Sequence, residues 1–343
     1  MKRLMSILLM VMLFSAPLFG QNDDSFFDND IVQTNLFANL PWAAVGLQFA
    51  VGGILSADQD FSFQDKLISS SILELSTLPL FFYEPQNSFY SAAATSTLLG
   101  AEMLSAKRLG LDAHLTGYIQ WTRISIAENR AYQSYALTRL NSDSYDNTDF
   151  QKLDTMDLYT APLDFEVLKD PLVLGYAALN ALVTFGYQAL VSDGFSQSIW
   201  ETGQAYLGED PVDLGYYVLA NALGFFTYHF SGAVGEESYY RGYLFEEIKY
   251  HAGFTVASIV DCSIFTLQHV LTDIARGQDP LYVVLHGAAT ALITLAWDHL
   301  YSRSGLRATV ASHAWSNILS AALMLPAYGG GVPKSQRKVS LGI

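Results

Sequence analysis

The chain has 343 residues, of which 51% are hydrophobic and only 15% are charged. Soluble proteins carry roughly 25% charged residues, so this deficit indicates a protein that faces lipid. The net charge of -15, with only 18 Lys and Arg residues, argues against nucleic-acid binding, because contact with phosphates requires clustered basic side chains.

The first 20 residues have the layout of a secretory signal. Lys2 and Arg3 precede an apolar run at residues 4–14, and small residues and a polar stretch follow it. A cleaved signal peptide and an uncleaved signal anchor both fit this pattern. Either one directs the chain to the export machinery and favours a membrane location.

Several apolar runs approach the ~20 residues that an α-helix needs to cross hydrocarbon. They predict an all-α fold, a polytopic transmembrane bundle of about seven or eight helices. The runs are residues 36–55, 67–83, 88–105, 171–191, 214–234, 254–271, 281–300 and 308–327.

A polar segment at residues 128–169 separates N-terminal membrane helices at 21–127 from a C-terminal core at 170–327. It lacks a sustained apolar period, so we expect an extramembrane loop. Residues 195–207 predict a short interfacial helix, with aromatic side chains at headgroup level. The basic tail at 328–343 favours a cytoplasmic C terminus.

An acid pair, Glu236-Glu237, follows the apolar run at 214–234 and is followed by Arg241. A charge at the bilayer centre costs roughly 2.5–3.5 kcal/mol, so such acids face a cavity or a partner. Glu237 and Arg241 are four residues apart with the acid first, which favours an ion pair on one helix. Glu236 then remains the freer carboxylate and suits a general base. The alternative is a solvated helix start at the membrane surface.

Two further motifs place polar side chains one helical turn apart in other apolar runs. Phe265 and His269 share a helix face, and so do His313 and Asn317. Each histidine by itself is more typical of a hydrogen-bonded packing residue. Together with the acid pair, these residues supply what peptide hydrolysis requires: a group that activates water and donors that stabilise an oxyanion.

The patterns EExxxR, FxxxH and HxxxN, in this order and on separate predicted helices, resemble the CPBP family of intramembrane proteases. This family includes type 2 CAAX prenyl proteases and bacteriocin-processing enzymes. The resemblance implies a helical membrane bundle whose C-terminal helices enclose a polar cavity.

The resemblance also implies a role for each motif residue. Glu236 would activate water with the help of His269. His313 and Asn317 would form the oxyanion hole, and Arg241 would orient the acid pair that includes Glu237.

Two mechanisms remain open within this resemblance. Relatives described as metalloproteases imply a zinc ion held by Glu236, His269 and His313, with one position open for water. A metal-free glutamate mechanism uses the same groups, and Asn317 suits an oxyanion better than zinc. We expect either no cofactor or one Zn²⁺, and we favour the metal-free form.

The sequence thus predicts an intramembrane endopeptidase of a bacterial inner membrane, with membrane-associated proteins or peptides as substrates. The chain has no HExxH or GxSxG motif, and no Gly-rich phosphate loop that would predict a nucleotide. A non-catalytic immunity or scaffold protein of the same fold is the main alternative. A transporter that uses its buried polar groups as a proton relay is less favoured.

Overall fold

The computed structural model of the protein describes ten stretches of the chain. These are residues 97, 113–143, 145–148, 150–191, 198–207, 209–224, 229–275, 277–324, 330–333 and 336. The predicted signal at 1–20, the apolar runs at 36–55 and 67–83, and all but one residue of the run at 88–105 lie outside them. Most of the tail at 328–343 also lies outside.

The described chain is mostly helical, as predicted, with one small hairpin. In chain order, the elements are α1 (Ala113–Leu140), α2 (Thr155–Thr160), a 3-10 turn (Ala161–Leu163), α3 (Phe165–Leu168), α4 (Pro171–Val191), α5 (Ile199–Thr202), β1 (Ala205–Leu207), β2 (Asp210–Val212), α6 (Leu214–Gly224), α7 (Ser231–Glu237), a π-helical segment (Ser238–Phe245), α8 (Glu246–Ala252), α9 (Phe254–Ala275) and α10 (Pro280–Met324).

Three of these helices are long and apolar enough to cross a membrane. They are Pro171–Val191, Phe254–Ile274 and Pro280–Met324. Within the predicted run at 214–234, residues 214–224 form α6 and α7 begins at Ser231, while residues 225–228 lie outside the description. The predicted total of seven or eight membrane helices depends on parts of the chain outside the description and stays a prediction.

The prediction of a loop over residues 128–169 is wrong at residues 128–140, because α1 continues to Leu140, and the placement of the segment outside the membrane stays a prediction. The residues after α1 bond back to its C-terminal half. Arg139 Nε donates to Asn147 Oδ1 at 3.1 Å, and the Asn147 side chain donates to the Arg139 carbonyl at 3.0 Å. Because many residues in this part of α1 are polar, the sequence shows no helical apolar period there, and the helix was not predicted.

The predicted interfacial helix at 195–207 is also wrong. Ser198 caps the N terminus of α5, and Gly203 ends the helix after about one turn with a left-handed φ of 67°. The chain then forms β1, which pairs antiparallel with β2. The β1 backbone is anchored further by Tyr206, whose N–H donates to the Gly330 carbonyl at 2.8 Å.

Helix α10 consists of two segments that fold back on each other, as the two predicted runs at 281–300 and 308–327 require. Gly305 interrupts the helix with φ 78° and ψ -178°. Trp297 Nε1 donates to Ser312 Oγ at 3.2 Å. On a straight helix, residues this far apart would be separated by roughly 22 Å, so only a chain reversal allows the bond.

Hydrogen bonds connect the segment of α10 that follows Gly305 to α4 and to the residues before α4. Asn180 donates to Ser316 Oγ, and the Trp315 indole donates to the Pro162 carbonyl at 2.9 Å. Asp164 caps α3 and pairs with Arg307. The backbone N–H of Glu166, and then Arg307, hold the pKa of Asp164 below its usual range.

Candidate active site

The described residues from Thr155 onward belong to one compact unit, separate from Ile126–Asp154, and all three motifs lie in this unit. The acid pair is located at the junction between α7 and the π-helical segment, within an unbroken helical stretch from 231 to 252. The alternative of a solvated helix start therefore does not apply. Wide π-helical turns are rare and frequently occur at functional sites.

Glu237 and Arg241 form the predicted ion pair, and both side chains are fully buried. Arg241 Nη1 lies 3.3 Å from Glu237 Oε1. Two further carboxylates, which the sequence patterns did not predict, surround the same guanidinium. Arg241 Nη2 lies 3.3 Å from Asp261 Oδ2, and Arg241 Nε donates to Asp298 Oδ1 at 3.2 Å. Arg241 therefore connects three helical elements through charge-assisted contacts.

His313 lies between the two acids. Its Nδ1 is 2.7 Å from Glu237 Oε1, and its Nε2 is 3.7 Å from Glu236 Oε2. Because a carboxylate accepts, Nδ1 carries the proton in the first contact. The Trp297 ring stacks on the face of the imidazole, with centroids 4.1 Å apart. The orientation of the His313 ring is therefore fixed both by this stacking and by the hydrogen bond of Nδ1 to Glu237.

His269 is oriented by its own helix. Its Nδ1 lies 2.9 Å from the Phe265 carbonyl oxygen, which can only accept. Nδ1 is therefore the donor, and in the neutral ring Nε2 holds the lone pair. Phe265 also packs under Arg241, whose guanidinium carbon is 4.9 Å from the ring centroid. The FxxxH motif thus contacts the EExxxR motif through its aromatic residue.

A cavity of about 160 Å³ brings the predicted residues together. Glu236, His269, His313 and Asn317 all line it, whereas Glu237 and Arg241 are buried behind its wall. The Glu236 side chain retains 13% exposure, against none for Glu237. The volume is sufficient for several water molecules. The two acids therefore occupy different environments, one facing the cavity and one anchored.

The predicted zinc ligands do not form a metal shell in this arrangement. Among the residues that the structure describes, no three His, Cys, Asp or Glu side chains converge as a metal ion requires. His313 donates Nδ1–H to Glu237 and keeps Nε2 for another bond, an arrangement that zinc-ligating histidines also have. The zinc alternative stays a prediction.

The two additional acids had a signal in the sequence. Asp261 and Asp298 each interrupt an apolar run, and ionisable residues at membrane depth are costly unless they have a partner. Asp273 is another buried acid. Its Oδ2 atom lies 2.5 Å from Nδ1 of His286, and both residues line the cavity. The spacing of these three acids in the sequence does not reveal their partners, because each partner lies on a different helix or helix segment.

The fold and site are those of a helical membrane protein with a buried, polar, acid-containing cavity. Residues 218–319, which contain all three motifs, match a family model described as type II CAAX prenyl endopeptidase Rce1-like. This match confirms the predicted resemblance over that range. Neither the curated proteins nor the solved structures include one that matches the chain.

The match and the site together support an intramembrane protease fold of the CAAX type. The apolar helices and the family match agree with a membrane location, and members of the matched family act on membrane-associated substrates.

Proposed function

We propose that the chain is an endopeptidase that hydrolyses peptide bonds of membrane-associated proteins or peptides inside the bilayer. The observation that carries this proposal is the unequal environment of the acid pair. Glu236 lines the cavity with its carboxylate 3.7 Å from His313 Nε2, while Glu237 is tied to Arg241. A carboxylate that lines a cavity can reach a water molecule bound there, as a general base must.

In the proposed reaction, Glu236 takes a proton from a water molecule in the cavity. The oxygen of that water attacks the carbonyl carbon of the peptide bond, and the carbonyl oxygen becomes an oxyanion. The Asn317 side-chain amide donates to this oxyanion. When the C–N bond breaks, Glu236 returns the proton to the leaving nitrogen.

The two histidines have different roles in this proposal. His269 has a lone pair on Nε2 in its neutral form, which suits a group that holds the attacking water. His313 donates from Nδ1 to Glu237, so only its doubly protonated form can also donate from Nε2 to an oxyanion. We therefore assign the main oxyanion contact to Asn317 and a second contact to the doubly protonated form of His313.

The substitution Glu236→Gln tests the catalytic proposal. Because the substrate is not specified, cleavage is measured across all proteins of the membrane fraction. The change preserves the shape of the side chain and removes the base, so we expect cleavage to fall about hundredfold or more. Cells would express the wild-type protein or the variant at matched levels. Enrichment of new protein N termini from the membrane fraction, followed by mass spectrometry, measures the cleavage.

Glu201→Gln is the matched control, because Glu201 is exposed, lies in α5 and does not line the cavity. It should retain the wild-type set of new N termini. If Glu236→Gln retains that set as well, the catalytic proposal is wrong. A biological activity that survives without cleavage would then favour the immunity or scaffold function, and solute uptake in vesicles would favour a transporter.

Chelation decides between the two forms of the same chemistry. We expect purified protein to contain no stoichiometric zinc and to cleave normally with a chelator present. If the chelator abolishes cleavage and zinc restores it, Glu236, His269 and His313 are the ligands to test by substitution.

A further inference from the structure

The cavity contains a second group of polar side chains that the proposed chemistry does not use. Gln188 comes from α4, Asp273 from the end of α9 and His286 from the first segment of α10, and all three line the cavity. His286 Nδ1 lies 2.5 Å from Asp273 Oδ2. Because the carboxylate accepts, this bond determines which edge of the His286 ring faces Asp273.

Two tyrosines fix the His286 ring further. The Tyr282 and Tyr187 rings lie 5.4 and 5.7 Å from it, centroid to centroid, and they contact each other edge to face at 5.7 Å. Both tyrosines are buried. The pair of Asp273 and His286 is therefore held in one geometry before any substrate arrives, as a specificity site requires.

Gln188 provides an independent sign that something binds here. Its side chain is only 1% exposed, and its Oε1 atom has no hydrogen-bond partner among the residues that the structure describes. Buried amide oxygens are nearly always paired, because an unpaired acceptor loses its water without compensation. Because Gln188 lines the cavity, a bound N–H donor would provide the partner that Oε1 lacks.

The charge at this position favours a donor over an acceptor as the occupant. Asp273 is buried, and within the described part of the chain it contacts His286 but no lysine or arginine. Gln188 Oε1 adds a second acceptor. A carboxylate or carbonyl of a ligand would meet these oxygens unfavourably, whereas N–H groups would pair with them.

We infer that Gln188 and the Asp273–His286 pair form a specificity subsite for a substrate side chain that donates N–H bonds. Lys and Arg are preferred, because their charge also complements Asp273, and Asn and Gln are accepted. This inference rests on the proposed function. Since the subsite and Glu236 line the same cavity, the side chain that it accepts belongs to a residue close to the cleaved bond.

Two substitutions of Gln188 in opposite directions test the subsite. Gln188→Met has a similar shape but no acceptor, and Gln188→Glu adds a charge. The readout is the residue preference around the cleavage sites, taken from the new N termini. With Gln188→Met, we expect the share of Lys, Arg, Asn and Gln at one position near the cleaved bond to fall about fivefold. With Gln188→Glu, the share of Lys and Arg at that position should rise.

Gln204→Met is the control, because Gln204 is exposed and does not line the cavity. If Gln188→Met does not accumulate in the membrane, Gln188→Asn replaces it. That change keeps the amide but shortens its reach by one methylene, so the preference should move towards Arg. An unchanged preference with intact cleavage would overturn the subsite alone. Absence of Glu236-dependent cleavage in the wild-type protein would instead overturn the proposed function, and the subsite with it.

Discussion

At the scale of single residues, the most consequential feature is a buried arginine among three carboxylates. Arg241 contacts Glu237, Asp261 and Asp298, and all four side chains are inaccessible to solvent. Burial removes the water that would otherwise stabilise these charges, so each depends on the others. Arg241 thereby fixes Glu237, which in turn fixes His313 beside Glu236.

Arg241→Met should strongly destabilise the protein, because it leaves three buried carboxylates without their cation. Removing one partner from a buried ion pair costs about 3–5 kcal/mol. Thermal unfolding in detergent would measure the loss as a lower Tm.

The matched control is Arg303→Met, since Arg303 is exposed. Its effect on the free energy of unfolding should stay within about 0.5 kcal/mol. Equal Tm values for the two variants would show that Arg241 is not the centre of the cluster.

At the scale of elements, the reversal within α10 brings the site together. Trp297 precedes Gly305 and His313 follows it, yet their rings stack at 4.1 Å. Asp298 also precedes the reversal and reaches Arg241, while His313 reaches Glu237 from the other side of it. One break in one helix therefore positions residues on both sides of the acid pair.

Gly305→Ala should destabilise this reversal. With φ 78° and ψ -178°, Gly305 occupies a backbone region that is essentially restricted to glycine, and a side chain there costs about 1–3 kcal/mol. No atom lies within 4 Å of the position of the added Cβ, so the cost comes from the backbone conformation and not from a clash. The free energy of unfolding would measure the cost.

Gly186→Ala, in the middle of α4, is the control for the same chemical change. An added Cβ there is also free of contacts within 4 Å, but the backbone is helical. Alanine should stabilise the helix at that position by about 0.5–1 kcal/mol. The two substitutions should thus change stability in opposite directions, and a shared direction would contradict the role of Gly305.

At the scale of the whole molecule, the long helices expose apolar side chains that a water-soluble protein would bury. Leu190 on α4 is 74% exposed, Ile259 on α9 is 60% exposed and Val284 on α10 is 66% exposed. Lipid tails are the natural surroundings for such surfaces, because they impose no hydration cost. The buried charges of the site lie inside, which is the arrangement expected of ionisable residues in membrane proteins.

We therefore expect the protein to remain in the membrane pellet after extraction with alkaline carbonate and to dissolve only when detergent is added. Carbonate removes proteins that are attached by charge, whereas spanning helices stay because leaving would expose their apolar faces to water. Immunoblotting of pellet and supernatant measures the distribution. Recovery in the carbonate supernatant would contradict a spanning protein.

The sequence by itself determined what depends on helical periodicity and on the cost of charge in lipid. These rules predicted the ion pair of Glu237 with Arg241 and the shared cavity of His313 and Asn317, because residues four apart lie on one helix face. They also predicted the apolar spans of α4, α9 and α10. The polar helical segment at 128–140 was missed for the same reason, since it has no apolar period.

Only the tertiary structure decided which distant residues meet. Asp261 and Asp298 surround Arg241, and Trp297 stacks on His313. Gln188 lines the cavity, and its Oε1 atom has no partner among the described residues. These contacts join different helices or the two sides of a reversal, and their geometry depends on how whole helices pack. Periodicity describes the faces of one helix at a time, so the division of the acid pair into a cavity-facing and an anchored carboxylate became visible only after the helices were assembled.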